Sequence, residues 1–293
     1  MSFVQTSLSS WQDFVDFADV ATGFLFRGQT DSSWPLKTSF ERALVSGVKR
    51  NVASEFRERS MLREFKSKYH LYAESAWEPA NDFEWLTLLQ HHGCPTRLLD
   101  FTFSPYVAAY FALRGSAADA AVWALNQYHL RSAVRDVSAL DYDAASTGRE
   151  EINALHIGVV NRCLAEGQQA STRRLLIPLE APHASQRLAR QQGCFVAPSS
   201  LGKPYTPDTF VDCLLTSFKT DRTVLKDLPS ATAEELLRSN DLLKEFSLIK
   251  LIIPQWVHSQ ATKHLLQMNL NEESLFPGLD GFVRSLAQVH IAR

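Results

Sequence analysis

The sequence predicts an α+β fold on three observations. Short apolar runs at 24–29, 120–125 and 246–253 read as strands, the last closed by Pro254. Around them lie amphipathic helices, in which apolar residues recur three and four positions apart. No internal repeat, low-complexity segment or clear linker divides the chain. A single domain over 1–293 is therefore expected. It comprises an N-terminal helix in 1–22, a motif-bearing core in 24–215 and a C-terminal strand with helices in 216–293.

Taken in order, Ser10 opens a helix whose apolar side holds Trp11, Phe14, Val15 and Phe17, and Gly23 ends it. The strand at 24–29 stops at Arg27 and Gly28. Arg27 could simply leave the core and pair with a carboxylate, or be fixed for a phosphate or ribose, with Gly28 letting a ligand approach the backbone. Asp31-Ser32-Ser33-Trp34-Pro35 is a turn. Helices are expected over 39–50 (Phe40, Leu44, Val48) and 53–72, where the charge run Glu55-Phe56-Arg57-Glu58-Arg59 reads as a solvated face. A helix over 83–90 leads into the most polar apolar-flanked stretch of the chain. Region 140–174 is polar and broken and reads as surface helix and loop. Strands at 175–180 and 194–198 flank a short helix ended by Gly193. Lys250 reads as solvent-facing on the strand 246–253, a helix over 257–268 follows, and the turn at 275–282 feeds a last helix.

Composition narrows the function classes. The 293 residues are 45% hydrophobic and 21% charged, with a formal net charge of -2. That is ordinary globular composition, without a global basic field for nucleic acid. Cys94, Cys163, Cys194 and Cys213 show no CxxC spacing, so neither a zinc knuckle nor a disulfide framework is supported. No signal peptide is seen at the N-terminus and no apolar run approaches the roughly 18–20 residues of a membrane span. A cytoplasmic protein with no membrane partner is expected.

Chemistry concentrates in Gln90-His91-His92-Gly93-Cys94-Pro95-Thr96-Arg97-Leu98-Leu99-Asp100-Phe101-Thr102-Phe103-Ser104-Pro105. Polar groups in such apolar company must be paired or belong to a site, because burying them alone costs roughly 1–3 kcal/mol each. Gly93-Cys94-Pro95 is a turn, 96–103 a short strand, and Ser104-Pro105 the start of a helix carrying Val107, Tyr110 and Phe111. A strand end beside a helix N-terminus suits an anion. Arg97 and Asp100 fall on opposite strand faces, so Asp100 could bond Arg27 or cap the next helix; Thr102 and Ser104 share a face. His91 or His92 could donate to a ligand or act as a base, or simply tie the turn. Cys94 could be a nucleophile beside either histidine. The spacing of these groups matches no common zinc motif.

Three pieces together, Phe26-Arg27-Gly28-Gln29, the central stretch from Gln90 to Thr102, and Arg187-x-x-x-Gln191-x-Gly193-x-Phe195, resemble the FRG domain of bacteria and their phages. The ending Leu275-Phe276-Pro277-Gly278-Leu279-Asp280-Gly281 is similar to the tail of these proteins, so the resemblance runs from about 24 to 282. A more distant resemblance is to ADP-ribosyltransferases of the arginine–serine–glutamate type. Its counterparts here are Arg27, Thr102-Phe103-Ser104 with Ala108-x-x-Phe111, and Gln191-Gln192-Gly193.

This resemblance implies a small split mixed sheet of ADP-ribosyltransferase-like type with helical decoration at both ends. NAD would be a substrate, transferred or hydrolysed by a toxin or phage-defence effector, with an acceptor protein or nucleic acid and partner proteins of the system left open. Arg27, His91, His92 and Gln191 would be catalytic. Arg27, Gly28, Gln29, Arg97, Asp100, Thr102 and Ser104 would bind the nucleotide, with the guanidinium of Arg27 against the hydroxyls; no metal is implied. The family's catalytic glutamate is missing: Gln191 or Gly193 stands there, and Glu180 or Asp100 would have to supply the charge. A non-catalytic module sensing a nucleotide or phage component, or a hydrolase or nuclease using His91, His92 and Asp100, are the alternatives.

Overall fold

A computed structural model describes residues 2–46, 54–73, 77–142, 146–166, 174–201, 209–218, 226–227 and 235–290. Its strands are β1 (Ser2–Ser7), β2 (Phe24–Gln29), β3 (Leu99–Thr102), β4 (Ala120–Asn126), β5 (Leu176–Leu179), β6 (Gly193–Pro198), β7 (Lys226–Asp227) and β8 (Phe246–Ile253). Among the described residues they form one mixed sheet of order β5-β6-β3-β2-β4-β8-β1-β7. Pairing is antiparallel from β5 to β8 and parallel where β1 joins β8 and β7. With its helices the chain is α+β, and the sheet is larger than the small one expected.

The sheet is nearly parted in the middle. β2 pairs with β4 from Phe24 to Gln29, and β3 with β6 from Leu99 to Thr102. Between β2 and β3, only Phe26 and Thr102 are in register. Beyond Phe26 the two strands diverge, and the sheet splits there into a β5-β6-β3 wing and a β2-β4-β8-β1-β7 wing.

Each wing has its own apolar cover on one face. Helices α1 (Trp11–Val20) and α5 (Pro105–Leu113) cover the larger wing, where Phe14, Phe17, Val107 and Ala108 pack on Phe24, Phe26, Val122 and Ile249. Helices α4 (Asp82–His91) and α7 (Arg149–Glu166) cover the smaller one, through Leu86, Leu89, Val160 and Leu164 on Ile177 and Phe195. A third cluster, including Leu25, Leu99, Phe101, Trp123 and Leu130, lies on the reverse face and spans both wings. Each fully buried Phe or Leu contributes about 1.5–3 kcal/mol, so the reverse face holds the wings together while the two covers leave a gap between them. Gly28 belongs to this packing. A Cβ there would stand 2.0 Å from the Ala108 carbonyl oxygen and 2.5 Å from the Ala112 nitrogen. Its missing side chain lets α5 pack closely on β2.

Local signals place the helices. Ser10, Asn81 and Ser104 each accept a backbone N–H as N-caps of α1, α4 and α5, and Pro105 opens α5. Helix α2 (Ser39–Ser46) ends its description at Ser46; Val48, Arg50 and Ala53 lie outside the described residues. Helix α3 (Ser54–Lys68) carries a correction: Glu58, read as part of a solvated face, is fully buried. Lys250 is corrected likewise. It is 8% exposed, donates to the Ser32 carbonyl at 2.6 Å and lies 4.9 Å from the centre of the Trp123 ring. The broken region 140–174 contains α7, and β1 inserts between β8 and β7 without a sequence signal having marked it.

The remaining helices are α6 (Gln127–Ser138), α8 (Gln186–Arg190), α9 (Thr209–Ser217), α10 (Asn240–Lys244), α11 (His258–Gln267), α12 (Glu272–Leu275) and α13 (Leu279–His290). Among the described residues no helix is long and apolar enough to cross a membrane.

Candidate functional site

The gap between the wings opens into a cavity of about 1180 Å³. Its lining draws on β2 and the turn after it, β3, the C-terminal end of α4, the side of α5, and α8 with the segment before it. That volume is generous for a small-molecule site, which usually occupies some 300–1,000 Å³. Arg27, Gly28, Gln29, His91, His92, Asp100, Thr102 and Gln191 all line it. Segments far apart in sequence therefore meet at one cleft.

Arg27 occupies the place where β2 and β3 part. Its register partner on β4 is Trp123, which puts its stem on the reverse face. From there the guanidinium bridges the divergence, and Nη1 donates to the backbone carbonyl of Asp100 at 2.6 Å. The expected contact with the hydroxyls of Thr102 and Ser104 is not made. Nε of Arg27 is buried without a hydrogen-bond partner. A buried donor of this kind costs on the order of 1–3 kcal/mol until something accepts from it. Burial lowers the Arg27 pKa, the neighbouring Asp100 charge opposes that, and Arg42 adds to it. The group stays cationic at neutral pH because an arginine starts so high.

Asp100 is the one carboxylate among the described lining residues, and it is exposed to the cleft. Gln90 Nε2 donates to its Oδ1 at 2.7 Å, and Oε1 of the same Gln90 amide accepts from Thr96 Oγ1. This small network fixes the carboxylate without neutralising it. Against it stand Arg27, Lys37, Arg42 and Arg187, with His91, His92 and His183 at the walls. The cleft is thus cationic in a chain of net charge -2, which favours a ligand of opposite sign.

The two histidines are not on a strand. His91 is the last residue of α4 and His92 its C-cap, their rings 5.3 Å apart and nearly perpendicular. Partial burial lowers the His91 pKa, followed by the charges of His92 and Arg187. Thr102 uses its hydroxyl structurally: Oγ1 donates to the Gln191 carbonyl at 2.7 Å and accepts from Ser104 N at 3.0 Å. Gln191 lines the cleft, but its amide nitrogen donates to the Leu275 carbonyl at 3.0 Å, which ties it to the C-terminal segment. Gln29 lines the rim and accepts from Trp123 Nε1 at 2.5 Å.

Two expected binding residues lie outside. Arg97 precedes β3 and is 1% exposed. Its Nε and Nη2 lie 2.7 and 2.5 Å from Glu58 Oε2, its backbone N–H donates to Glu58 Oε1 at 3.1 Å, and Nη1 reaches the carbonyls of Pro198 and Ser199. It is a structural clamp between α3, β3 and β6. Ser104 accepts from Val107 N at 3.2 Å as the N-cap of α5. That helix offers the cleft Ala108 and Phe111 from its side, while Ser104 and Pro105 at its N-terminus do not line it.

Glu180 is engaged elsewhere too, in a two-point pair with Arg149 at 2.6 and 2.7 Å. Of the two carboxylates considered, Asp100 alone lines the cleft. Cys94 packs with the α4–α7 cluster, and burial raises its pKa, which disfavours the thiolate. Among the described residues no group of three or more His, Cys, Asp or Glu side chains could hold a metal ion.

Sequence reasoning missed Trp34, Lys37, Arg42, Trp77, His183 and Arg187 as lining residues. Trp34 and Trp77 are 52% and 42% exposed, and Trp77 meets the His183 ring edge-on at 5.6 Å. A usable signal did exist for Trp34. It sits in a turn only a few residues beyond Arg27, and a Trp-Pro step in such a turn has little core to enter.

No curated protein and no solved structure matches the chain. Residues 22–121 match the model of the FRG domain. The match is shorter than the stretch the motifs suggested, and leaves Gln191 and the C-terminal segment beyond it. It takes in β2 and β3, α4 and α5, and with them Arg27, both histidines, Asp100 and Thr102, so that this part of the chain is similar to the FRG domain.

Proposed function

We propose that the cleft binds NAD and breaks its nicotinamide–ribose bond, as an ADP-ribosyltransferase or an NAD glycohydrolase. The observation that carries the reading is the pairing of Arg27, whose buried Nε lacks an acceptor, with a single exposed carboxylate in the same cationic cleft. Arg27 would take a phosphate or ribose oxygen. The exposed indoles of Trp34 and Trp77 offer flat apolar surfaces to planar rings.

Asp100 takes the part the resemblance reserved for a glutamate. As the C1′–N bond breaks, its electron pair leaves with nicotinamide and positive charge develops on the ribose. A fixed carboxylate stabilises that charge, and such electrostatic terms are worth about 3–4 kcal/mol. Water or an acceptor nucleophile then forms the new bond at C1′ and gives up its proton, with His91 or His92 within the cleft as a candidate base. A toxin or phage-defence role, which comes from the family resemblance, fits an enzyme that consumes NAD, and a cytoplasmic location fits its substrate.

The test is release of free nicotinamide from NAD by the purified chain. Turnover should fall by about a hundredfold or more in Asp100→Asn, with KM little changed, whereas Arg27→Ala should raise KM. A specific observation favours a second reading, a nucleotide-binding module without catalysis: Gln191, which the resemblance to ADP-ribosyltransferases sets where those enzymes carry a glutamate, is uncharged and spends its amide on Leu275. Saturable NAD binding with no nicotinamide released would select it.

A further inference from the structure

The wall of the cleft formed by α8 is held from behind by the C-terminal segment. Gln191 donates to the Leu275 carbonyl at 3.0 Å, and Arg190 Nη1 lies 3.3 Å from the Glu273 carbonyl and 3.5 Å from that of Ser274. The centre of this contact is the Phe276 ring. The guanidinium carbons of Arg114, Arg187 and Arg284 lie 4.8, 4.9 and 5.2 Å from its centroid. Cations gather on an aromatic face because the ring's quadrupole is negative there, but three like charges around one ring repel unless an anion is near.

One anion is present and does not serve all three. Glu272, 6% exposed, accepts from Tyr110 Oη at 2.9 Å, from Nε and Nη2 of Arg114, and from Arg284 Nε at 3.1 Å. The Arg187 guanidinium has no hydrogen-bond or ion-pair partner among the described residues, and the residue lines the cleft. Stacking occupies the flat face of a guanidinium and leaves its in-plane N–H donors available. Phe276 therefore fixes the orientation of Arg187 without using its hydrogen bonds. The same ring meets Phe111, another lining residue, edge-on at 5.9 Å.

We infer that Arg187 is a second anion-binding group of the cleft, held in place by Phe276 as a positioning residue, and that the two arginines Arg27 and Arg187 select a ligand with linked negative charges, such as a pyrophosphate diester. The identity of that ligand as NAD rests on the function proposed above; the anion site itself does not. The neighbourhood agrees, since the charge of Arg187 contributes to lowering the His91 pKa across the cleft.

Calorimetric titration of the full chain with inorganic pyrophosphate, and separately with NAD, tests this. Wild type should bind both. Arg187→Ala should weaken pyrophosphate at least about tenfold, the loss expected for a charge-assisted hydrogen bond, with an unchanged melting temperature because the side chain is exposed. Phe276→Ala should weaken it less, and Phe276→Tyr, which keeps the ring, should restore it; this pair holds even if the alanine variant folds poorly. The His91 imidazole, followed by NMR, should titrate higher in Arg187→Ala than in wild type. Equal pyrophosphate affinity in wild type and Arg187→Ala overturns the inference. Pyrophosphate binding that depends on Arg187, with no binding of NAD, supports it and sinks the NAD reading. Failure of wild type to bind either ligand overturns both.

Discussion

Arg27, on β2, and Arg97, just before β3, have opposite fates. Arg97 is buried against Glu58 and the carbonyls of β6, with its donors directed at protein acceptors. Arg27 spends one nitrogen on the Asp100 carbonyl, leaves Nε without an acceptor, and faces a large cavity. From sequence the two look alike, each an arginine beside apolar residues in a motif. What separates them is a partner far away in the chain: Glu58 for the one, open space for the other. Arg97 is thus part of what builds the cleft, while Arg27 keeps an unused donor at the cleft's lining.

The largest expected effect breaks the Arg97 side. Glu58→Ala or Arg97→Ala would strand a buried charge and should destabilise the fold by about 3–5 kcal/mol, read as a drop in the denaturant midpoint. Replacing both at once, with Arg97→Met and Glu58→Leu, should restore most of it, because paired charges cost desolvation that apolar side chains avoid. If the single variants melt like wild type, the structural assignment of Arg97 fails. The next effect lies in the same wing and needs no mutation. His156, on α7, is buried with Nδ1 3.0 Å from the Pro178 carbonyl, and burial pushes its pKa down to about 4. A histidine whose folded pKa is depressed contributes stability that is present above its unfolded pKa, near 6.5, and lost as pH falls toward 4. The loss is on the order of 3 kcal/mol. It should be absent from His156→Gln when stability is followed from pH 7 to 4.

How far the sequence reached follows the same line between local and distant causes. Caps at Ser10 and Ser104, the strands β2, β4 and β8, and the meeting of Arg27, the histidines, Thr102 and Gln191 in one cleft were readable from spacing, turn chemistry and motifs. Glu58, in a polar run, and Lys250, on an apolar strand, were misread because a charge looks solvated until its partner is known, and both partners lie far off in sequence. The burial of helix α7, in a region read as surface helix and loop, escaped because its buried residues, from Ile152 to Leu164, spread over a broad arc rather than a narrow stripe. β1 has no signal of its own; its neighbours β7 and β8 lie more than two hundred residues later. The role of Gln191 was half legible: its place in the cleft followed from the motif, its bond to Leu275 could not.

On the Arg27 side, stability and binding should separate. Arg27→Ala removes a charge-assisted contact to ligand but no buried ion pair. Affinity for NAD or pyrophosphate should therefore fall some ten- to a hundredfold, while the melting midpoint moves far less than in Arg97→Ala. A large stability loss without an affinity loss would put the two arginines in the same class and erase the distinction.

The smallest effect sharpens the comparison most. Arg27→Lys keeps the charge but replaces a planar fork with a single ammonium, which can reach the Asp100 carbonyl or a ligand oxygen but cannot hold both in the fixed geometry of a guanidinium. If Arg27 bridges the diverging strands and the ligand at once, the lysine variant should bind pyrophosphate about three- to tenfold more weakly, with little further loss of stability. If it acts only as a positive charge at the bottom of a cationic cleft, lysine will substitute without measurable loss. Titration calorimetry on the two proteins side by side distinguishes a shaped donor from a point charge, which is the difference between a site that orients its ligand and one that merely attracts it.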